Sequence, residues 1–119
     1  MSIRRIVPNI HVEAEELWNT SREFYGLLGF EEVMDMGWVT TLASPSNPTA
    51  QISLFTEERT APVVPDLSVE VEDVDAVYDQ VAASGAEIVR EPRNEEWGVR
   101  RFFVRAPDGR VINVLTHLS

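Results

Sequence analysis

The chain has 119 residues, 44% of them hydrophobic, which suits one domain with a real core and leaves no room for a second. Twenty acidic against ten basic side chains give a formal net charge of −10, which argues against the basic face that nucleic acids and anionic membranes require. There is no cysteine and every basic residue is arginine, so thiol nucleophiles, thiolate metal sites, disulfides, lysine Schiff bases and lysine-dependent phosphate loops are excluded.

Histidine chemistry has only His11 and His117 to draw on. No run reaches the ~18 apolar residues of a membrane span. The N-terminal Met1-Ser2-Ile3-Arg4-Arg5-Ile6 carries neither the apolar stretch nor the cleavage site of a secretory signal, so a cytoplasmic location is expected.

Residues 5–12 read as a strand ending Asn9-Ile10-His11-Val12. A helix is predicted over 13–28, with Leu17, Phe24 and Leu28 as its apolar face and Trp18 and Tyr25 flanking it. Gly29 stops it. Strands follow at 30–36, 38–43 and 51–55, separated by Gly37 and by the loop Ser44-Pro45-Ser46-Asn47-Pro48. Residues 57–65, with Pro62 and Pro65, read as a linker.

The same order then begins again. A strand at 66–71 alternates strictly. Asp73 caps a helix whose apolar face is Val74, Val77, Val81 and Ala82, and Gly85 stops it. Strands are predicted at 86–90, 99–105 and 111–116, the last two joined by the turn Pro107-Asp108-Gly109.

The halves superpose. At an offset of 60, Val39 maps to Val99, Ile52 to Ile112, Leu54 to Val114 and Thr56 to Thr116. Earlier in the chain Val12 maps to Val71 and Gly29 to Gly85, because the second helix is a turn shorter. Repetition of this kind marks a duplicated unit: one domain over 1–119, with module one at about 1–56 and module two at 66–119. The fold class is α+β, two βαβββ modules forming a curved mixed sheet with the helices on its convex side.

Alternation assigns the faces. Leu67, Val69 and Val71, Ile52 and Leu54, Ile10 and Val12, and Ile112 and Val114 point toward the helices. Asp66, Ser68 and Glu70, Gln51, Ser53 and Phe55, Asn9 and His11, and Val111, Asn113, Leu115 and His117 occupy the other side. That mixed set suits either a solvated face or a ligand cleft. Trp38 and Trp97 each follow or precede a glycine at a strand start, which places them near the rim, partly exposed.

Two segments resemble a known family. Phe24-Tyr25-Gly26-Leu27-Leu28-Gly29-Phe30-Glu31 looks like the helix-to-strand signature of the vicinal oxygen chelate superfamily, which includes glyoxalases, extradiol dioxygenases and bleomycin-resistance proteins. Trp97-Gly98-Val99-Arg100-Arg101-Phe102-Phe103-Val104-Arg105-Ala106-Pro107-Asp108-Gly109 resembles its second signature, nearest the bleomycin-resistance branch, with Ala106 where Asp is usual. The resemblance implies the duplicated fold, a homodimer and, in the enzymes, a divalent metal on one ligand from each of four strands. Carried onto this chain those positions are Val7, Ser53, Asp66 and Asn113, of which only Asp66 is a good ligand. A shifted metal set would use His11, His117 and Glu70.

The leading expectation is a protein that binds a small aromatic or cationic molecule without a metal. Trp38, Trp97 and Phe55 would stack on the ligand, Asp66 and Glu70 would meet positive groups, and Asn113 and His11 would line the site. The alternatives are a metal-dependent lyase, isomerase or dioxygenase; a metal-free enzyme using Glu70 or Asp66 as general base; and a structural dimer module.

Overall fold

The computed structural model describes residues 2–58 and 61–118, so Arg59 and Thr60 of the expected linker lie outside the described residues. The chain divides into two compact units, Val7–Val64 and a second made of Met1–Ile6 with Pro65–Ser119. Among the described residues the fold is α+β, with two α-helices, eight strands and both parallel and antiparallel pairs.

In the first unit the chain runs through β1 (Ile3–His11, entering the unit at Val7), a 3-10 turn at Glu15–Leu17, α1 (Trp18–Leu27), β2 (Glu31–Asp35), β3 (Val39–Ala43) and β4 (Gln51–Phe55). β2 pairs antiparallel with β3, β3 antiparallel with β4, and β4 parallel with β1. The second unit holds β5 (Leu67–Val71), α2 (Val74–Ala83), β6 (Glu87–Asn94), β7 (Val99–Arg105) and β8 (Val111–His117). Its pairings repeat the first: β6 antiparallel to β7, β7 antiparallel to β8, β8 parallel to β5. The duplication expected from the offset is therefore present as the same βαβββ connectivity twice.

The second unit follows its sequence closely. Asp73 accepts the backbone N–H of Ala76 at 3.2 Å and so caps α2. Val69 and Val71 on β5, Phe102 and Val104 on β7, and Val114 on β8 form the core against which Val74, Val77, Tyr78 and Val81 of α2 pack. Gly85 ends the helix at φ +85°, a left-handed turn in which a Cβ would be strained. β6 is longer than expected, running on to Asn94 past a register shift between Arg90 and Arg93.

The first unit corrects one expectation. The core of Val12, Leu42 and Leu54 receives Trp18 and Tyr25 from α1, whereas Leu17, Phe24 and Leu28 are 53%, 56% and 63% exposed. The helical period is as expected but its phase is turned by one residue. Trp18 and Tyr25, seven apart, bring two large rings onto the sheet, and Tyr25 meets Phe30 edge-on at 6.3 Å. Aromatic rings bury more area than leucines, which favours this phase. Helix α1 also starts later than expected, since residues 15–17 form a 3-10 turn.

Candidate functional site

The registers place one row of side chains across four strands of the second unit. Ser68 on β5 lies opposite Asn113 on β8, Asn113 opposite Phe103 on β7, and Phe103 opposite Arg90 on β6. One step along, Glu70 lies opposite Leu115 and Leu115 opposite Arg101. This face is not solvated: Ser68, Asn113, Leu115, Phe103 and Arg101 are all buried. Asn113 donates an amide N–H to the Ser68 hydroxyl at 3.0 Å, and its side-chain oxygen is buried without a hydrogen-bond partner.

At the β6–β7 end, the Glu95 carboxylate draws in three arginines: Arg90 at 2.5 Å, Arg101 at 3.2 Å and Arg93 at 3.4 Å. Glu95 and Arg101 are buried, as buried charges generally are only when paired. The Arg101 guanidinium lies over the rings of Trp97 and Phe103, 5.0 and 4.9 Å from their centroids. Arg90 sits 5.7 Å from the Phe103 centroid. Neither arginine was anticipated as a site residue. For Arg101 a signal was available, because the offset of 60 maps Thr41 onto Arg101 just as it maps Ser53 onto Asn113.

The expected carboxylates are already engaged. Asp66 precedes β5 and is exposed; its carboxylate accepts the Val111 backbone N–H at 2.8 Å, and its own N–H donates to the Val111 carbonyl at 2.8 Å. It clamps the start of β5 to β8, and the residue opposite Asn113 is Ser68 instead. Glu70 takes Arg5 at 2.9 Å and the His117 Nδ1 at 3.1 Å. A cation entering this unit would have to displace those partners.

In the first unit, the equivalent positions hold hydroxyls: Thr41 and Ser53 are buried and hydrogen-bonded to each other at 2.8 Å. Trp38, expected at a rim, is only 6% exposed and packs on the buried Phe55 with centroids 5.8 Å apart. The strand it starts carries its ring inward rather than leaving it at an edge. Trp97 is half-buried as expected, though Arg101 occupies one of its faces. His11 is exposed and donates its Nε2–H to the Thr56 carbonyl at 3.0 Å.

These residues do not fit a divalent metal. Val7 is hydrocarbon, Ser53 is held by Thr41, Asp66 is tied to backbone, and Asn113 offers a neutral amide. The shifted set divides: Glu70 and His117 meet in the second unit, while His11 belongs to the first and bonds Thr56 there. Among the described residues no group of three His, Asp or Glu side chains is disposed to hold a metal. Among them, too, no helix is long and apolar enough to cross a membrane.

Solved structures share the fold. A glyoxalase/bleomycin resistance protein/dioxygenase superfamily member from Vibrio splendidus 12B01 is 21% identical with a TM-score of 0.66, the match covering 98% of this chain and 100% of that one. Methylmalonyl-CoA epimerase from Mycobacterium tuberculosis is 20% identical with a TM-score of 0.64, over 98% of this chain and 88% of that one. The Mn(II)-bound glyoxalase from Novosphingobium aromaticivorans is 19% identical with a TM-score of 0.65, over 98% of this chain and 39% of that one. At these identities the likeness concerns the fold. No curated protein matches the chain. The sequence profile of the Glyoxalase/Bleomycin resistance protein/Dioxygenase superfamily matches residues 19–114, and the chain, with its two βαβββ modules, belongs to that superfamily.

Proposed function

We propose that the chain binds a small, planar molecule on the polar face of its second module, without a divalent metal. Asn113 carries this reading. Its side chain sits at the centre of the Ser68–Asn113–Phe103–Arg90 row, is 93% buried on the complement of its 7% exposure, and holds one polar atom with no partner. Whichever way the amide is turned, one end meets Ser68 and the other meets nothing. A buried polar group left in that state costs about 1–3 kcal/mol, which a ligand's matching group would recover. Phe103 beside it and Trp97 at the turn give the site its aromatic character.

The metal-dependent lyase, isomerase or dioxygenase reading lacks a fitting ligand set. The general-base reading lacks an uncommitted carboxylate, because Glu70 and Asp66 are both engaged. A cytoplasmic location and a homodimer are parts of the proposal, to be tested by cell fractionation and by light scattering.

The test combines elemental analysis of the purified protein with thermal shift against a library of small planar molecules. We expect substoichiometric metal, no rise in Tm on adding Mn, Zn, Ni or Fe, and hits whose shift is lost in Asn113→Leu. Stoichiometric metal sinks the metal-free half of the proposal. Hits that bind Asn113→Leu as tightly as the parent protein sink the site.

A further inference from the structure

We infer that the ligand of this face is an anion, a planar carboxylate received by Arg90; the inference rests on the small-molecule reading above and names its ligand class. Arg90 spends only part of its guanidinium on Glu95. Its Nη2 meets that carboxylate, while Nη1 is buried with no hydrogen-bond partner, on a side chain only 8% exposed. A carboxylate has about four lone-pair sites, and Glu95 already serves Arg93 and Arg101 as well. An unmet N–H on a buried cation calls for an oxygen acceptor, and an anionic one suits it best.

Several acidic side chains of the module are engaged elsewhere. Asp66 holds Val111, Glu70 holds Arg5 and His117, Asp75 holds Arg100, and Glu87 holds Arg105. The ring of Phe103 lies under Arg90 and directly opposite Asn113, so the unmet arginine N–H and the unmet amide atom flank one aromatic ring. The Arg90 donor lies among aromatic rings, which suits an aromatic carboxylate better than inorganic phosphate. The net charge of −10 repels anions in general, so anion binding, where observed, reports this local arrangement.

The experiment compares benzoate, its cationic counterpart benzamidine, and inorganic phosphate on the full chain, read by Tm and by tryptophan emission. Benzoate is expected to raise Tm and change the emission, benzamidine and phosphate to do neither. Arg90→Met should weaken benzoate at least tenfold. Should Arg90→Met fail to fold, Arg90→Lys, which keeps the charge for Glu95 but has no Nη1, should show the same loss. Benzoate binding unchanged in the folded Arg90 variants overturns the inference. Benzamidine binding that depends on Asn113 while benzoate does not bind also overturns it, yet leaves the small-molecule reading standing. If no probe and no library compound binds, both fall.

Discussion

The two modules share one connectivity and differ in how they bury it. In the second, α2 sits on its sheet through Val74, Val77, Tyr78 and Val81, with a side-chain cap from Asp73 at its start. In the first, α1 meets its sheet through Trp18 and Tyr25, has no side-chain cap, and leaves Leu27 86% exposed. The polar faces diverge as well. Thr41 and Ser53 satisfy each other in the first module; at the offset-equivalent places in the second stand Arg101 and Asn113, with an unpartnered amide atom. Duplication has kept the hydrogen-bonding of the backbone, which depends little on side chains, and left this pair of positions mutually satisfied in one module and with an unmet amide atom in the other.

The largest test of that contrast is Glu95→Ala. It leaves Arg101 and Arg90 buried beside a missing carboxylate and should lower unfolding stability by about 3–5 kcal/mol in urea titration. Removing the surface partner of Arg100 with Asp75→Ala should cost no more than ~1 kcal/mol. Equal losses would mean the buried network is not what holds the β6–β7 end.

Next comes the phase of α1. Trp18→Ala should cost about 2 kcal/mol, below the ~3–5 of a fully buried aromatic, because Trp18 is only partly covered. Phe24→Ala on the exposed stripe should stay within ~0.5 kcal/mol. The reverse order would put Phe24 inward and restore the phase expected from the sequence.

Asp73→Ala should remove about 1 kcal/mol and shift α2 alone, seen as loss of protection of the α2 amides in hydrogen exchange. The smallest effect concerns Tyr78. Its hydroxyl donates to Glu91 and its ring packs edge-on against Phe102 at 5.2 Å. The hydrogen bond to Glu91 raises the phenol pKa above 10.0, helped by partial desolvation and the nearby negative charges of Glu91 and Asp79. A raised value means the protonated phenol is favoured in the fold, so its contribution is present below pH 10.0 and is lost as pH climbs through the raised value. Tyr78→Phe should therefore be slightly less stable at neutral pH, and the gap should close in strongly alkaline solution.

Much of this architecture was legible in the chain. Alternation in Leu67-Ser68-Val69-Glu70-Val71 fixed the inward face of β5, and the offset of 60 aligned β4 with β8. Gly29 and Gly85 both end helices at positive φ. The site was less legible. Asp66 and Glu70 looked like ligands because carboxylates on a polar face attract attention, but backbone and arginine partners far away in sequence had claimed them. Arg90 and Arg101 were not among the candidates, since nothing local says that Glu95 and two aromatic rings will receive them.

Local periodicity and the duplicated order of elements, then, determined the strands, the helices and their repetition, because those depend on residues two to four apart and on the backbone they favour. Only the tertiary structure decided which stripe of α1 turned inward, that Trp38 is buried, which carboxylates were already taken, and that Asn113 and Arg90 are left with polar atoms unmet. Those outcomes depend on which distant side chains meet across strands, and a pairing between residues 45 or 47 apart, such as Ser68 with Asn113 or Glu70 with His117, leaves no mark on the local sequence of either.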